Sequence, residues 1–235
     1  MHPAENKIQQ LIDRIDFQSI EISSSQVELI QEISQYGLPA LSSLAHILHK
    51  RQLELLINPI DGLIYDKLIS DPNSDIQELA QTYFSKGIVP LISEKNIDYF
   101  ELQQLLQRKD FLQANIVTQK KICELANLQN KDREWLYFTD IASLPILDLQ
   151  TIDKLWRIHS LNRFGFSIQR QIWISVEYDW TSLLNKIQWI IDSNLCRYPN
   201  EFTWDLNAPR GHLPLFNQLR GPQALTFLLA HPAWN

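Results

Sequence analysis

The side chains best suited to chemistry are few, and their spacing assembles no familiar reaction centre. The six histidines are His2, His46, His49, His159, His212 and His231. His46 and His49 stand three residues apart on an expected helix, a spacing at which two imidazoles share a metal. No cysteine or third ligand adjoins them, so a surface or half-buried pair is the better reading. His159 continues an apolar stripe with Trp156 and reads as a hydrogen-bonded core residue. Cys123 and Cys196 lack C-x-x-C spacing and imply neither a metal site nor a disulfide framework. Asp205 follows Trp204 and has the makings of a buried acid, although a helix or turn cap explains it better. The chain contains no G-x-G-x-x-G, no G-x-x-x-x-G-K-[ST] and no G-x-S-x-G, and its six glycines leave little material for a phosphate-cradling loop. The expectation is a protein that is not an enzyme.

Binding suits the residues better. A flat apolar ligand with acidic edges needs broad aromatic or aliphatic walls and a few cations at the rim. The segment WLYFTDI (135–141) and the stretch RYPNEFTWDLNAPRGHLPLFNQLRGP (197–222) supply both kinds. Core packing explains the first when it is taken alone. The second is long for a loop in a compact domain, and long loops often carry function. Its Leu213, Leu215 and Phe216 either pack onto the domain or are held ready for an apolar ligand, with packing the commoner fate of such residues.

The elements that must position these residues are helical. Ser25-Gln26-Val27-Glu28 has capping-box spacing ahead of Ile30 and Ile33. Ile76, Leu79, Ala80, Tyr83 and Phe84 form one helix stripe, and Trp180, Leu183, Leu184, Ile187, Ile190 and Ile191 hold another for three turns. Breaks at Gly37-Leu38-Pro39, Asn58-Pro59, Asp71-Pro72-Asn73 and Gly87 separate helices of ordinary length. Pro222 suits the first turn of a final helix carrying Leu225, Leu228 and Leu229. Nothing alternates with period two long enough to make a central sheet, so the fold class is all-α. All seven tryptophans lie in the second half, and charge divides likewise. Residues 1–85 carry 5 basic and 12 acidic side chains, whereas residues 86–235 carry 16 and 15. The segment Ile88-Val89-Pro90-Leu91-Ile92 reads as an edge or linker, which places an acidic helical bundle at 1–86 and a tryptophan-rich domain at 87–235. A net charge of −6 argues against a general nucleic-acid binder, and no apolar run reaches the roughly 20 residues of a membrane span. The N-terminus has the character of neither a secretion signal nor a transit peptide. A soluble, intracellular, globular protein is expected.

WLYFTDI (135–141), LDLQTIDKLW (147–156), RFGFSIQRQIW (163–173), FTWDLNAPRGHLPLFNQLRG (202–221) and HPAW (231–234) closely resemble the genomes-uncoupled-four family, the tetrapyrrole-binding regulators of magnesium chelatase. The resemblance runs from about Gly87 to Trp234. It implies a helical "cupped hand" that binds protoporphyrin IX and Mg-protoporphyrin IX, with an N-terminal helical bundle packed on it. It also implies a non-catalytic regulator that stimulates the chelatase of chlorophyll biosynthesis together with the large porphyrin-binding subunit. The family's ligand positions fall on Phe138, Ile141, Arg220 and the loop 206–221, whose Leu213, Leu215 and Phe216 then form a greasy flap. Two positions depart from the family pattern. Tyr198 stands where a Trp can occur, and Gln223 where an Arg can occur, which removes one propionate partner that Arg197 or Arg210 would replace. No directly ligated metal is expected, since no histidine falls on the matched wall residues. The implied setting is a plastid stroma, with the protein plastid-encoded, or a cyanobacterial cytoplasm, with a monomer that meets membrane surfaces transiently. The alternative function is a helical interaction scaffold that has lost the ligand.

Overall fold

The computed structural model describes residues 3–128, 135–216 and 222–235. The chain divides into two compact units, Met1–Pro90 and Leu91–Asn235, so the break falls a few residues beyond the 86/87 boundary read from the sequence. Among the described residues the secondary structure is helical apart from one two-stranded hairpin.

Unit 1 holds α1 (Pro3–Ile12), α2 (Ser24–Ser34), α3 (Leu38–Leu53), α4 (Pro59–Ser70) and α5 (Ser74–Phe84). The breaks are made by local chemistry. Gly37 turns into α3 at φ 66, and Asn58 caps α4 by accepting from Ile60 N while Asp61 Oδ2 takes the Asn58 N–H at 2.8 Å. Asn73 caps α5 in the same way through Asp75 N. The Ser25–Glu28 capping box does not form. Ser23 caps α2 instead, its hydroxyl accepting from Gln26 N, while the Gln26 side chain ties the helix start to Arg14 O and Asp16 N. Ile30, Ile33, Ile76, Ala80 and Phe84 are buried as their stripes require. His49 stacks on Tyr83 at 4.4 Å and His46 Nδ1 lies 2.6 Å from Ser42 O, so the pair is used in packing. The segment 88–92 forms no strand; Ile88 and Val89 are buried in irregular backbone.

Unit 2 holds α6 (Phe100–Gln107), α7 (Phe111–Leu125), the single-turn α8 (Phe138–Ile141), α9 (Ile146–His159), α10 (Phe166–Ser175), α11 (Trp180–Lys186) and α12 (Pro222–Leu229), closing on a 3₁₀ turn, Pro232–Trp234. Its centre is aromatic. Trp156, Phe111 and Phe164 interlock, and the Trp156 indole donates to Thr118 Oγ1 at 2.9 Å. Two buried carboxylates fix the connections. Asp148 accepts from Tyr99 Oη at 2.8 Å, from Glu94 N at 2.8 Å and from Ser93 Oγ, which pins the segment entering α6 to α9. Asp153 accepts from Ser167 N and Oγ, which ties the start of α10 to α9. The long stripe from Trp180 does not stay helical. Trp189 swings inward to donate its indole N–H to His212 O at 2.8 Å, and the chain leaves α11 to form β1 (Ile190–Ile191) antiparallel to β2 (Asn194–Leu195). Asp192 and Ser193 both have positive φ, the geometry that closes a tight hairpin.

Candidate functional site

The site begins with the one-turn helix α8. Asp140 Oδ2 accepts from Tyr137 N at 2.8 Å and holds the turn. Ile141 points inward and is fully buried, which leaves Phe138 on the outer side, 43% exposed, beside Tyr137 at 54%. Helix α12 packs against α8. Ala224, Leu225, Leu228 and Leu229 make its buried face. Phe227 falls off that stripe, 46% exposed, and its ring lies 5.0 Å from Phe138 with a 36° tilt. Gln223 is exposed one turn earlier, so it shares a helix face with Phe227. The result is an aromatic surface of Tyr137, Phe138 and Phe227 with an amide at its edge.

The base beneath it is rigid. The Trp234 indole donates to Leu228 O at 2.6 Å, and His231 Nδ1 accepts from Ala233 N at 3.1 Å. Burial holds the His231 imidazole below its usual pKa, against a backbone hydrogen bond at Leu144 that raises it. Neutral imidazole is what lets Nδ1 accept.

Leu213, Leu215 and Phe216 do not form a flap in this structure. All three are buried, and the backbone around them is bolted down. Gly165 N donates to Leu213 O at 3.0 Å, Gln169 Nε2 donates to Gly211 O and Pro214 O, and Leu215 N donates to Asn115 Oδ1 at 2.7 Å. His212 is a second anchor: Nδ1 lies 2.6 Å from Ile187 O, and Nε2 accepts from Thr203 N at 3.1 Å. Burial lowers its pKa, the Ile187 hydrogen bond opposing. Buried amides need partners and these have them, which is why the packed alternative is adopted. Both His212 nitrogens are thereby engaged within the protein.

Two of the cationic positions lie on other segments of unit 2. Arg197 and Tyr198 follow β2; Tyr198 is 41% exposed and meets Trp204 edge-on at 5.9 Å, and Arg197 N donates to Glu201 Oε2. Arg210 is exposed and donates to Gln171 Oε1 at 2.8 Å. Arg220 and the end of the 206–221 loop lie outside the described residues. Among the described residues no cluster of three His, Cys, Asp or Glu could hold a metal ion, and no helix is long and apolar enough to cross a membrane. The structure thus puts the exposed Phe138 and Gln223 on the packed pair α8 and α12, buries Ile141 together with Leu213, Leu215 and Phe216, and leaves Arg197, Tyr198 and Arg210 exposed. Phe227 and Tyr137 were not singled out from sequence. An aromatic sitting off the Leu225–Leu228–Leu229 stripe is the signal that points to Phe227.

The family model described as GUN4-like matches residues 92–232, more than half of the chain. The chain belongs to the GUN4-like family. The solved structure of GUN4 from Chlamydomonas reinhardtii aligns with a TM-score of 0.59 at 37% identity, covering 63% of this chain and 96% of that one. Protein ycf53 of Porphyra purpurea is 47% identical over 89% of this chain and 89% of its own length. The chloroplastic tetrapyrrole-binding protein of Arabidopsis thaliana is 38% identical over 57% of this chain and 54% of its own length. The GUN4-like match falls wholly in unit 2, which holds both aromatic groups described above.

Proposed function

We propose that unit 2 binds protoporphyrin IX and Mg-protoporphyrin IX on the Tyr137–Phe138–Phe227 surface, and that the loaded protein stimulates magnesium chelatase by working with its large porphyrin-binding subunit. The observation that carries this reading is the exposed Phe138–Phe227 pair, two rings 5.0 Å apart on a rigid base. Aromatic rings left in water at fixed geometry suit a flat conjugated ligand. Covering about 300 Å² of macrocycle at about 25 cal/mol per Å² is worth on the order of 7 kcal/mol before ordering costs. A solvent-open arginine–propionate pair contributes about 0–1 kcal/mol. The walls therefore set affinity, and Arg197, Arg210 and Arg220 set orientation, with Gln223 a neutral edge. Leu213, Leu215 and Phe216 contribute as the floor that keeps α10 and its neighbours in place.

The reading is of a carrier and regulator with no reaction of its own, acting in a plastid stroma or a cyanobacterial cytoplasm. The GUN4-like membership and the name of the Arabidopsis relative support it. A titration of tryptophan fluorescence with deuteroporphyrin tests it. Saturable quenching that Phe138→Ala weakens by more than tenfold is the expected result. Absence of quenching, or quenching indifferent to Phe138→Ala and Phe227→Ala, would sink the proposal.

A further inference from the structure

The corner between α10 and α11 carries an aromatic group that porphyrin binding does not use. Trp173 lies in the last turn of α10, Trp180 opens α11, and Tyr178 stands between them. The Tyr178 ring meets Trp173 at 5.0 Å and 89°, and the Trp180 ring meets it at 6.1 Å and 90°. Tyr178 is 60% exposed. Glu177 and Tyr178 have φ 54 and 64, two successive left-handed residues of which neither is Gly or Asn. A link that only had to turn would use Gly or Asn there. Here a costly backbone places a tyrosine ring in water.

The display is held in place. Tyr178 N donates to Trp173 O at 2.9 Å, and the Trp173 indole donates back to Tyr178 O at 3.0 Å. Asp179 N donates to Val176 O at 2.9 Å, and Asp179 Oδ1 accepts from Ser182 N at 2.8 Å, which fixes the start of α11. A sequence that contradicts local preference on a well-held surface marks a place selected for something other than folding. The face of an aromatic ring carries negative charge density and attracts a cation, most strongly at Trp.

The charged neighbours select the same ligand. Glu177 and Asp179 are exposed and flank Tyr178 directly in the chain. Among the described residues the Glu177 carboxylate has no ion pair or hydrogen bond, and Asp179 has no ion pair. The cations between residues 164 and 196 are Arg170 and Lys186. Arg170 Nη2 donates to Asn235 Oδ1 at 3.1 Å. Lys186 lies six residues beyond Trp180, about 120° around α11 and about 9 Å along it. Arg210 reaches α10 from the 206–216 segment and donates to Gln171 Oε1 at 2.8 Å. Helix α10 ends at this corner, and the carbonyl end of a helix favours cations. A guanidinium suits these groups better than an ammonium, because it is planar and stacks on a ring while its N–H fork takes a carboxylate. We propose that Trp173, Tyr178 and Trp180, with Glu177 and Asp179, form a binding site for an arginine side chain on an exposed segment of a partner protein. The porphyrin surface on α8 and α12 plays no part in it.

The test uses the isotope-labelled full chain and the peptide Gly-Arg-Gly-Arg-Gly, with versions that carry citrulline or lysine in place of arginine. In two-dimensional NMR the arginine peptide should shift the Trp173 and Trp180 indole signals, which Trp173→Phe and Trp180→Phe assign. The citrulline peptide, a neutral isostere, should leave them in place, and the lysine peptide should bind at least about threefold more weakly. Tyr178→Ala and Glu177→Gln should each weaken the arginine peptide by about threefold or more, whereas Tyr178→Phe keeps the ring and the binding. Porphyrin quenching should be the same in all three variants as in wild type. Equal shifts from the arginine and citrulline peptides, or none from either, would overturn the site. That comparison needs no variant, so it stands even where a substitution disturbs the fold. Lysine binding as tight as arginine binding would overturn the guanidinium assignment. Tyr178-dependent binding of phosphatidylglycerol vesicles, or indole shifts that grow with protein concentration alone, would replace the partner with a lipid or a second copy.

Discussion

At the residue scale, affinity and acid sensitivity belong to different side chains. On the proposed site, removing the Phe138 ring should strip roughly 100 Å² of apolar cover from the macrocycle, about 2 kcal/mol, or near thirtyfold in Kd. Arg210→Ala should change Kd by less than about fivefold, since a solvent-open ion pair is worth about 0–1 kcal/mol. Parallel quench titrations of the two variants give the ranking, and the reverse order would mean that charge rather than cover sets affinity. The histidines set acid stability. His159 is fully buried, and burial, with Lys109 nearby, lowers its pKa to about 3. His212 and His231 are lowered in the same direction, by burial first. Their unfolded value is about 6.5, so the unfolded chain takes up protons that the folded one refuses. Stability is therefore whole above pH 6.5 and falls as the pH drops below it, by at most about 1.4 kcal/mol per pH unit for each histidine. For His159 the fall continues toward pH 3. Urea midpoints measured at pH 7.5 and pH 5 should decline, and His159→Gln should flatten the decline; a pH-independent midpoint would contradict the assignment.

At the element scale, the segment 206–216 is a strut. Gly211 shows why. Its φ is 81, and a Cβ there would stand 2.5 Å from Ile172 Cδ1 and 3.1 Å from Ile187 Cγ2, wedging α10 away from the end of α11. Gly211→Ala should cost about 2 kcal/mol or more and lower Tm by several degrees. Ile172→Val removes the 2.5 Å contact and should restore part of that loss in calorimetry, while the left-handed backbone keeps the rest. An unchanged Tm in Gly211→Ala would show that the segment yields, and would return Leu213, Leu215 and Phe216 to the role of a cover. At the other end of unit 2, α8 is a single turn whose exposed ring is steadied by α12, so changes on α12 should be read at the aromatic surface as well as in stability.

At the scale of the whole molecule, the chain splits into two compact units. The residues that build the aromatic surface and its base lie beyond residue 90, so a fragment of residues 91–235 should keep the porphyrin quench within about twofold of the full chain. A tenfold loss in that fragment would mean that unit 1 takes part in binding. Much of this organisation is legible in the residues alone. Ile30 with Ile33, and Ile76 with Ala80 and Phe84, are placed by helical period, and Asn58 and Asn73 start helices through bonds to their own neighbours. Such features are local, so a window of a few residues determines them. The turn out of α11 is not local: Trp189 leaves the stripe to reach His212, 23 residues away. Leu215 is sealed by Asn115, 100 residues earlier, and Phe138 meets Phe227 across the unit. Periodicity carries no information about which distant group will satisfy a buried amide or cover a ring. The sequence by itself determined the helices, their ends, their inward faces and the family likeness. Tertiary structure alone decided which aromatics remain in water and which loop leucines do not, because burial depends on neighbours that the chain meets only after it has folded.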